Sequence, residues 1–310
     1  MKTFGKLLGL TAALFFSVVF LTGTFAFIKT VWFGGGGIGS RNRVAVVDLT
    51  GMMLTSSSFV HRLEGLRKNS RVKAVVVRIN SPGGIVAPSQ EIYQALKTTD
   101  AKIPVVATMG SVGASGGYYA ALGARKIFAN PGTLTASIGV IIEFMNLEKI
   151  YQWARVERFS MTAGRLKSMG TPFRTMRPDE RIVFENLLTN IHGEFRSAVK
   201  ERRKLSDAEL DAVADGRVMT GSQAKTAKLV DELGGFEDAV REAKKLAGLP
   251  ETTELLYDSK KSGLLRELLL GEDDEPNAST TASTLASLAG LLGGGPAGYR
   301  ILLLAPIPVP

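Results

Sequence analysis

The sequence predicts an α/β domain, and three observations carry that expectation. Short apolar runs at 44–49, 72–79 and 105–109, rich in valine and isoleucine, read as buried strands. Helix-like stretches at 57–68 and 88–98 lie between them, and strands alternating with helices argue for an α/β architecture. With 310 residues, 45% of them hydrophobic, the chain can bury a sizeable core, and its length permits one large domain or two small ones.

The elements follow in order from residue 43. A strand at 44–49 precedes a helix at 57–68, and a strand at 72–79 ends on Pro82-Gly83-Gly84 before the helix at 88–98. The strand at 105–109 breaks on Gly110, and a helix at 114–122 follows, with Ser115 in its first turn. A strand at 126–130 stops at Pro131-Gly132. Strands at 138–143 and 156–161 enclose a helical segment at 147–154, and 178–205 reads as one long amphipathic helix with Pro178 near its start. No internal repeat is visible.

Residues 7–27 contain no charge and are long enough to cross the roughly 30 Å hydrocarbon layer as a helix. A cleaved signal peptide would have an apolar region of only about 7 to 15 residues before a small-x-small site. The nearest such site, Thr24-Phe25-Ala26, is poor. The reading is therefore an uncleaved anchor over 1–33, with Lys2 and Lys6 before the span and Lys29, Trp32 and Phe33 after it. Residues 34–42 form a glycine-rich tether. Residues 43–250 form the α/β domain, and 251–310 a C-terminal extension. In that extension 271–284 is an acidic, then Ser/Thr-rich linker, and the apolar stretches 285–292 and 299–309 are too short to span a membrane.

Composition excludes several chemistries. The chain has no cysteine, which removes thiol catalysis and disulfides. His61 and His192 lack ligand spacing, so no metal is expected, and no glycine-lysine phosphate loop is present, so no ATP. The net charge of +9 comes without a basic stripe interleaved with aromatics, which argues against nucleic acid. Its simpler use is adhesion to anionic lipid; for the cluster Lys200-Glu201-Arg202-Arg203-Lys204, a solvated helix end is an equal alternative.

Three stretches carry chemistry. Gly110-Ser111-Val112-Gly113-Ala114-Ser115-Gly116-Gly117 puts a serine where backbone N–H groups at a helix start favour negative charge. Arg78-Ile79-Asn80-Ser81-Pro82-Gly83-Gly84 ends a strand in a loop whose N–H groups can form one side of an oxyanion hole, with the N–H of Gly116 as the other. Thr162-Ala163-Gly164-Arg165-Leu166-Lys167-Ser168 places a lysine beyond an apolar run. Taken singly, each is also an ordinary turn or a solvated charge.

Together they resemble the signal peptide peptidase A family, membrane-anchored serine proteases related in fold to the Clp protease and crotonase superfamily. The resemblance covers roughly 40–250 and includes Ala136-Ser137-Ile138-Gly139-Val140, Asp215-Gly216-Arg217-Val218-Met219-Thr220-Gly221 and Leu229-Val230-Asp231-Glu232-Leu233-Gly234-Gly235. It implies a spiral of strand-strand-helix units, with Ser115 as nucleophile, Lys167 as general base and Ser137 orienting the lysine amine. Gly84, or less favourably Gly83, would donate to the oxyanion with Gly116. It further implies hydrolysis of signal-peptide remnants and other membrane-associated peptides, a homo-oligomeric ring in which neighbours help build each site, and a single-pass inner-membrane protein with its catalytic domain on the extracytoplasmic side. No cofactor is implied.

A lysine near its ordinary pKa of about 10.4 cannot take a proton at neutral pH, so the base requires a shielded pocket, closed by bound peptide or subunit contact. Three readings compete with that of a peptide-clearing enzyme: a protease that clips integral membrane proteins, a crotonase-type acyl-CoA enzyme, and an inactive scaffold. The tail at 299–309 either packs on a neighbouring subunit or lies in the chain's own peptide groove.

Overall fold

Valine-rich runs such as Val44-Ala45-Val46-Val47 and Ala74-Val75-Val76-Val77 suit strands buried on both faces, where no polar alternation is required. The computed structural model describes residues 42–257, together with Thr24 and the backbone of 302–304. In chain order its elements are β1 (Arg43–Thr50), α1 (Ser57–Lys68), β2 (Val72–Ser81), β3 (Gly83–Ile85), α2 (Val86–Asp100), β4 (Val105–Ala114), α3 (Gly116–Ala121), β5 (Lys126–Ala129) and β6 (Leu134–Ala136). There follow α4 (Glu148–Trp153), α5 (Pro178–Arg203), α6 (Asp207–Asp211), β7 (Val218–Thr220), α7 (Gly221–Thr226), β8 (Glu232–Leu233), α8 (Phe236–Leu246), β9 (Leu255–Tyr257) and β10 (Leu302–Leu304).

The main sheet runs β7-β6-β4-β2-β1-β9, with β5 on β4 and β8 on β5. Its pairings are parallel except that of β6 with β7. Successive residues of each strand point to opposite faces. Ala45, Val47, Val75, Val77 and Ala107 therefore join one core with α1, α2 and α3. Val44, Ala74, Val76 and Val106 join a second core with Phe128 and α8.

The α/β expectation holds, and α1 occupies the predicted 57–68. The predicted strands at 138–143 and 156–161 do not form. Residues 155–162 are irregular, with Val156, Phe159 and Met161 at 52%, 85% and 93% exposure, and among the described residues no strand pairs with them. The short strands β3 and β6 arise instead where close backbone approach creates partners. The predicted membrane span at 7–27 lies outside the described residues, apart from Thr24. Among the described residues no helix is long and apolar enough to cross a membrane.

Gly110 does not end its strand. In the pairing of β2 with β4, Ile79 faces Met109 but Ser81 faces Gly113, so β4 carries two extra residues in a bulge. The bulge is held from both sides, by Val112 N–H donating to Asn80 Oδ1 at 3.2 Å and Thr133 Oγ1 donating to the Gly110 carbonyl at 2.6 Å. Before it β4 pairs with β5; after it, with β6. The strand is thereby redirected toward Ser115.

The later motifs bolt this arrangement in place. Asp231 accepts from Ile127 N–H at 2.8 Å and pairs with both terminal nitrogens of Arg203 at 2.9 and 3.0 Å. Arg202 donates to the carbonyls of Leu122 and Ala124, so two members of the basic 200–204 cluster are engaged within the fold. Tyr118, on α3 and wholly buried, donates to the Leu229 carbonyl at 2.7 Å, and burial raises its phenol above the tyrosine range. Tyr118→Phe leaves that carbonyl unpaired in the core and is expected to lower stability by about 1–3 kcal/mol in urea unfolding. An unchanged midpoint would mean that this bond does not hold α3.

Candidate active site

The site begins with a strained turn. Ser115 sits between β4 and α3 with φ 52 and ψ −119, outside the regions open to an ordinary side chain. Such a conformation costs about 1–3 kcal/mol and persists only where its surroundings fix it. Here Ser115 N–H donates to the Ala136 carbonyl at 2.8 Å, and its own carbonyl accepts from Tyr119 N–H at 2.8 Å. Ser115 is fully buried, and its Oγ is the one buried side-chain N or O atom among the described residues without a hydrogen-bond partner. A hydroxyl held like this is poised for something outside the chain.

The Asn80–Gly84 stretch brings the second component. Ser81 Oγ donates to the Gly51 carbonyl at 2.6 Å, and Gly51 N–H donates to the Asn80 carbonyl at 3.0 Å. Gly83, at φ 113, takes a conformation that favours glycine, and its N–H donates to Ser81 Oγ at 3.2 Å. Met53 then pairs alongside β3: its N–H donates to the Gly83 carbonyl at 2.9 Å, and its carbonyl accepts from Ile85 N–H at 2.8 Å. Gly84 itself points the other way. A Cβ on Gly84 would collide with the Met53 backbone, and one on Gly116 would lie 3.2 Å from Gly84 N, 2.9 Å from Met53 Cε and 2.5 Å from Ser89 Oγ. Both residues must be glycine for the two backbones to meet beside Ser115.

Ser137 is buried at φ 51, directly after Ala136, whose carbonyl receives the Ser115 N–H. Its own N–H donates to the Arg217 carbonyl at 2.9 Å, and β6 pairs with β7, so the 215–221 motif fixes the 136–139 motif. Ser115, Gly84, Gly116 and the backbone of Ser137 therefore share one neighbourhood. Within the single chain Lys167 is exposed, on a turn closed by its N–H to the Gly164 carbonyl at 3.0 Å, and its amine makes no hydrogen bond to Ser115 Oγ.

Sequence reading missed what holds the lysine's turn. The fully buried Glu180 carboxylate accepts from Arg174 at 2.6 and 2.9 Å and from the backbone N–H of Arg177 at 3.1 Å. Arg174 also donates to the Ser168 carbonyl, and Arg165 pairs with Asp179. The Arg174 hydrogen bonds hold the Glu180 carboxyl below its usual range. The available signal was an acid three residues after Arg177, at the start of a helix that opens on proline. The spacing Gly113-x-Ser115-x-Gly117 equally signals a strained serine turn between strand and helix. Among the described residues no three His, Asp or Glu side chains form a group that could hold a metal ion.

The family model described as Peptidase family S49 matches residues 97–250, and that described as Clp protease matches 43–135. A Synechocystis sp. protein named "Putative protease slr0021" is 39% identical over 236 residues, which make up 75% of this chain and 85% of that one. This chain belongs to peptidase family S49. The chloroplastic serine protease SPPA of Arabidopsis thaliana is 31% identical over 75% of this chain, and Protease 4 of Salmonella typhi 34% over 61%. Of those two longer relatives the matched region spans 35% and 31%. The structure of a ClpP1 point mutant from Listeria monocytogenes superposes on 65% of this chain and 95% of that one, with a TM-score of 0.44 and 17% identity.

As an S49 peptidase with these contacts, the chain is expected to lose at least about 100-fold in kcat on Gly116→Ala, because the added methyl forces the backbones beside Ser115 apart, a local shift that leaves the overall circular dichroism unchanged. Full activity would show that the close approach of these two backbones is not needed for catalysis. The depressed Glu180 carboxyl contributes stability that is complete above its unfolded pKa and is lost as pH falls through its folded one. Acidification below about pH 4.3 should therefore increase proteolytic nicking at 163–176, and Glu180→Gln should give the same nicking at neutral pH. Equal nicking of both proteins at every pH would show that this carboxylate does not hold the turn.

Proposed function

We propose that the chain is a membrane-anchored serine endopeptidase acting through Ser115 and Lys167. One observation carries the proposal: a wholly buried serine, on a strained turn, whose Oγ has no partner and whose neighbouring backbone meets Gly84 N–H. Lys167 takes the Ser115 proton, and Oγ bonds to the peptide carbonyl carbon. The oxyanion is held by the N–H groups of Gly84 and Gly116. Collapse breaks the C–N bond, and the lysine ammonium returns its proton to the leaving amine. A water that gives a proton to Lys167 then attacks the acyl-enzyme, and Ser115 recovers its proton as the acid leaves. Ser137 orients the lysine amine.

A lysine serves as a base only when removed from water, and Lys167 is exposed in one chain. The same excursion presents Trp153, Phe159 and Met161 at 86%, 85% and 93% exposure, an apolar surface suited to a second copy. In the proposed assembly, subunit contact covers this surface and delivers Lys167 to Ser115. The substrates are apolar peptides left at the membrane after signal peptides are cut, and the segment 7–27 keeps the site beside them.

Ser115→Ala and Lys167→Ala should each abolish cleavage of a synthetic signal peptide while the fold persists. The double variant should be no worse than either, since the pair acts as a unit. Mixing the two inactive variants should restore part of the activity if neighbours share a site. Retained cleavage by either variant alone would exclude the dyad. His61→Ala with His192→Ala should leave turnover largely intact, and its loss in a folded protein would implicate a histidine base.

A further inference from the structure

Strand β10 makes a contact that the proposed chemistry does not use. Strand β10 pairs antiparallel with β3, Leu302 against Ile85, Leu303 against Gly84 and Leu304 against Gly83. The pair forms a sheet of its own, apart from the main one. One edge of β3 is already taken, since Met53 bonds to the Gly83 carbonyl and the Ile85 N–H. Gly84 N–H and C=O therefore face the opposite edge, and that is where β10 lies, with Leu303 directly across. Gly84 N is also the atom 3.2 Å from the Cβ position of Gly116, next to the buried Ser115 hydroxyl.

We propose that the segment around Leu302–Leu304 is a resident ligand of the peptide-binding edge, an intramolecular strand that competes with substrate for Gly84. The inference rests on the assignment of Gly84 and Ser115 to the active site. An extended peptide adding to an exposed edge gains main-chain hydrogen bonds whatever its side chains, so a short apolar strand of the same chain can occupy the place of a substrate strand. One Gly84 N–H cannot serve both a tail carbonyl and the oxyanion of a substrate. The sequence suits a short strand: Ile301-Leu302-Leu303-Leu304 is apolar, and Pro306 and Pro308, which lack a ladder donor, follow closely. The edge thus takes apolar, extended peptide segments, and an incoming peptide must displace the tail.

The test compares the full chain with a form lacking residues 299–310 and with Leu303→Pro, which removes a ladder donor and leaves the rest of the chain intact. Residue-resolved amide exchange at Gly84 reads occupancy without needing catalysis, and hydrolysis of a fluorogenic apolar peptide reads competition. The expected result is at least tenfold faster Gly84 exchange in both altered forms, with an apparent KM lowered several-fold and kcat little changed. A synthetic peptide of residues 299–310 should restore protection and inhibit competitively. Unchanged Gly84 exchange in both altered forms overturns the proposal. Recovery of the full chain already trimmed within 301–305 also overturns it, because the tail would then be a substrate and not a resident. Failure of the serine-peptidase reading has a different signature: Ser115→Ala would retain peptide cleavage while Gly84 protection still depended on the tail.

Discussion

The approach of two backbones, Gly84 of β3 and Gly116 at the start of α3, is the constraint on which the rest of this structure depends. Neither position tolerates a Cβ, since Met53 blocks one and Ser89, Met53 and Gly84 crowd the other. Bringing them together requires that β4 exchange β5 for β6 as its neighbour, and the bulge at 110–112 allows the change of course. It also requires that the 80–84 loop fold back, and Ser81 to Gly51 ties that loop down. The strained backbone of Ser115 is the consequence. It survives because Ala136 and Tyr119 clamp both sides of the residue and Tyr118 fastens its helix to Leu229.

Much of this was legible in residue order. The valine-rich strands, α1 and the long helix beginning at Pro178 follow from apolar patterning and end signals, because those features are local. The glycines around Ser115 and at 83–84 marked the close backbone approach for the same reason: such an approach or a positive φ leaves only glycine as a workable choice. Apolar runs at 138–143 and 156–161 misled, because an apolar run becomes a strand only where another strand is available. The 110–112 bulge was hidden, since Gly110 signals a break equally well whether a strand ends or swerves. The Arg174 and Glu180 pairing was invisible for a related reason, being set by how the 163–176 excursion returns onto α5.

The arrangement also divides the chemistry into a preformed half and a requirement still to be met. Ser115, Gly84 and Gly116 are assembled by the fold of one chain, whereas the exposed Lys167 sits on a turn fastened near the start of α5. If Ser115 and Lys167 act as proposed, a serine held apart from its base is quiescent, which suits a peptidase proposed to share a membrane surface with intact proteins. In the same proposed scheme the tail strand across Gly84 is a second restraint, acting on the proposed oxyanion donor instead of the proposed base.

The most direct measurement is to treat the purified full-length protein with a fluorophosphonate and map the adduct by mass spectrometry, with peptide hydrolysis followed in parallel. A single adduct on Ser115, forming at the rate at which hydrolysis is lost, is the expected result. Loss of hydrolysis with the adduct on another residue, or hydrolysis that continues after Ser115 is fully labelled, would contradict the assignment of this buried serine as the nucleophile.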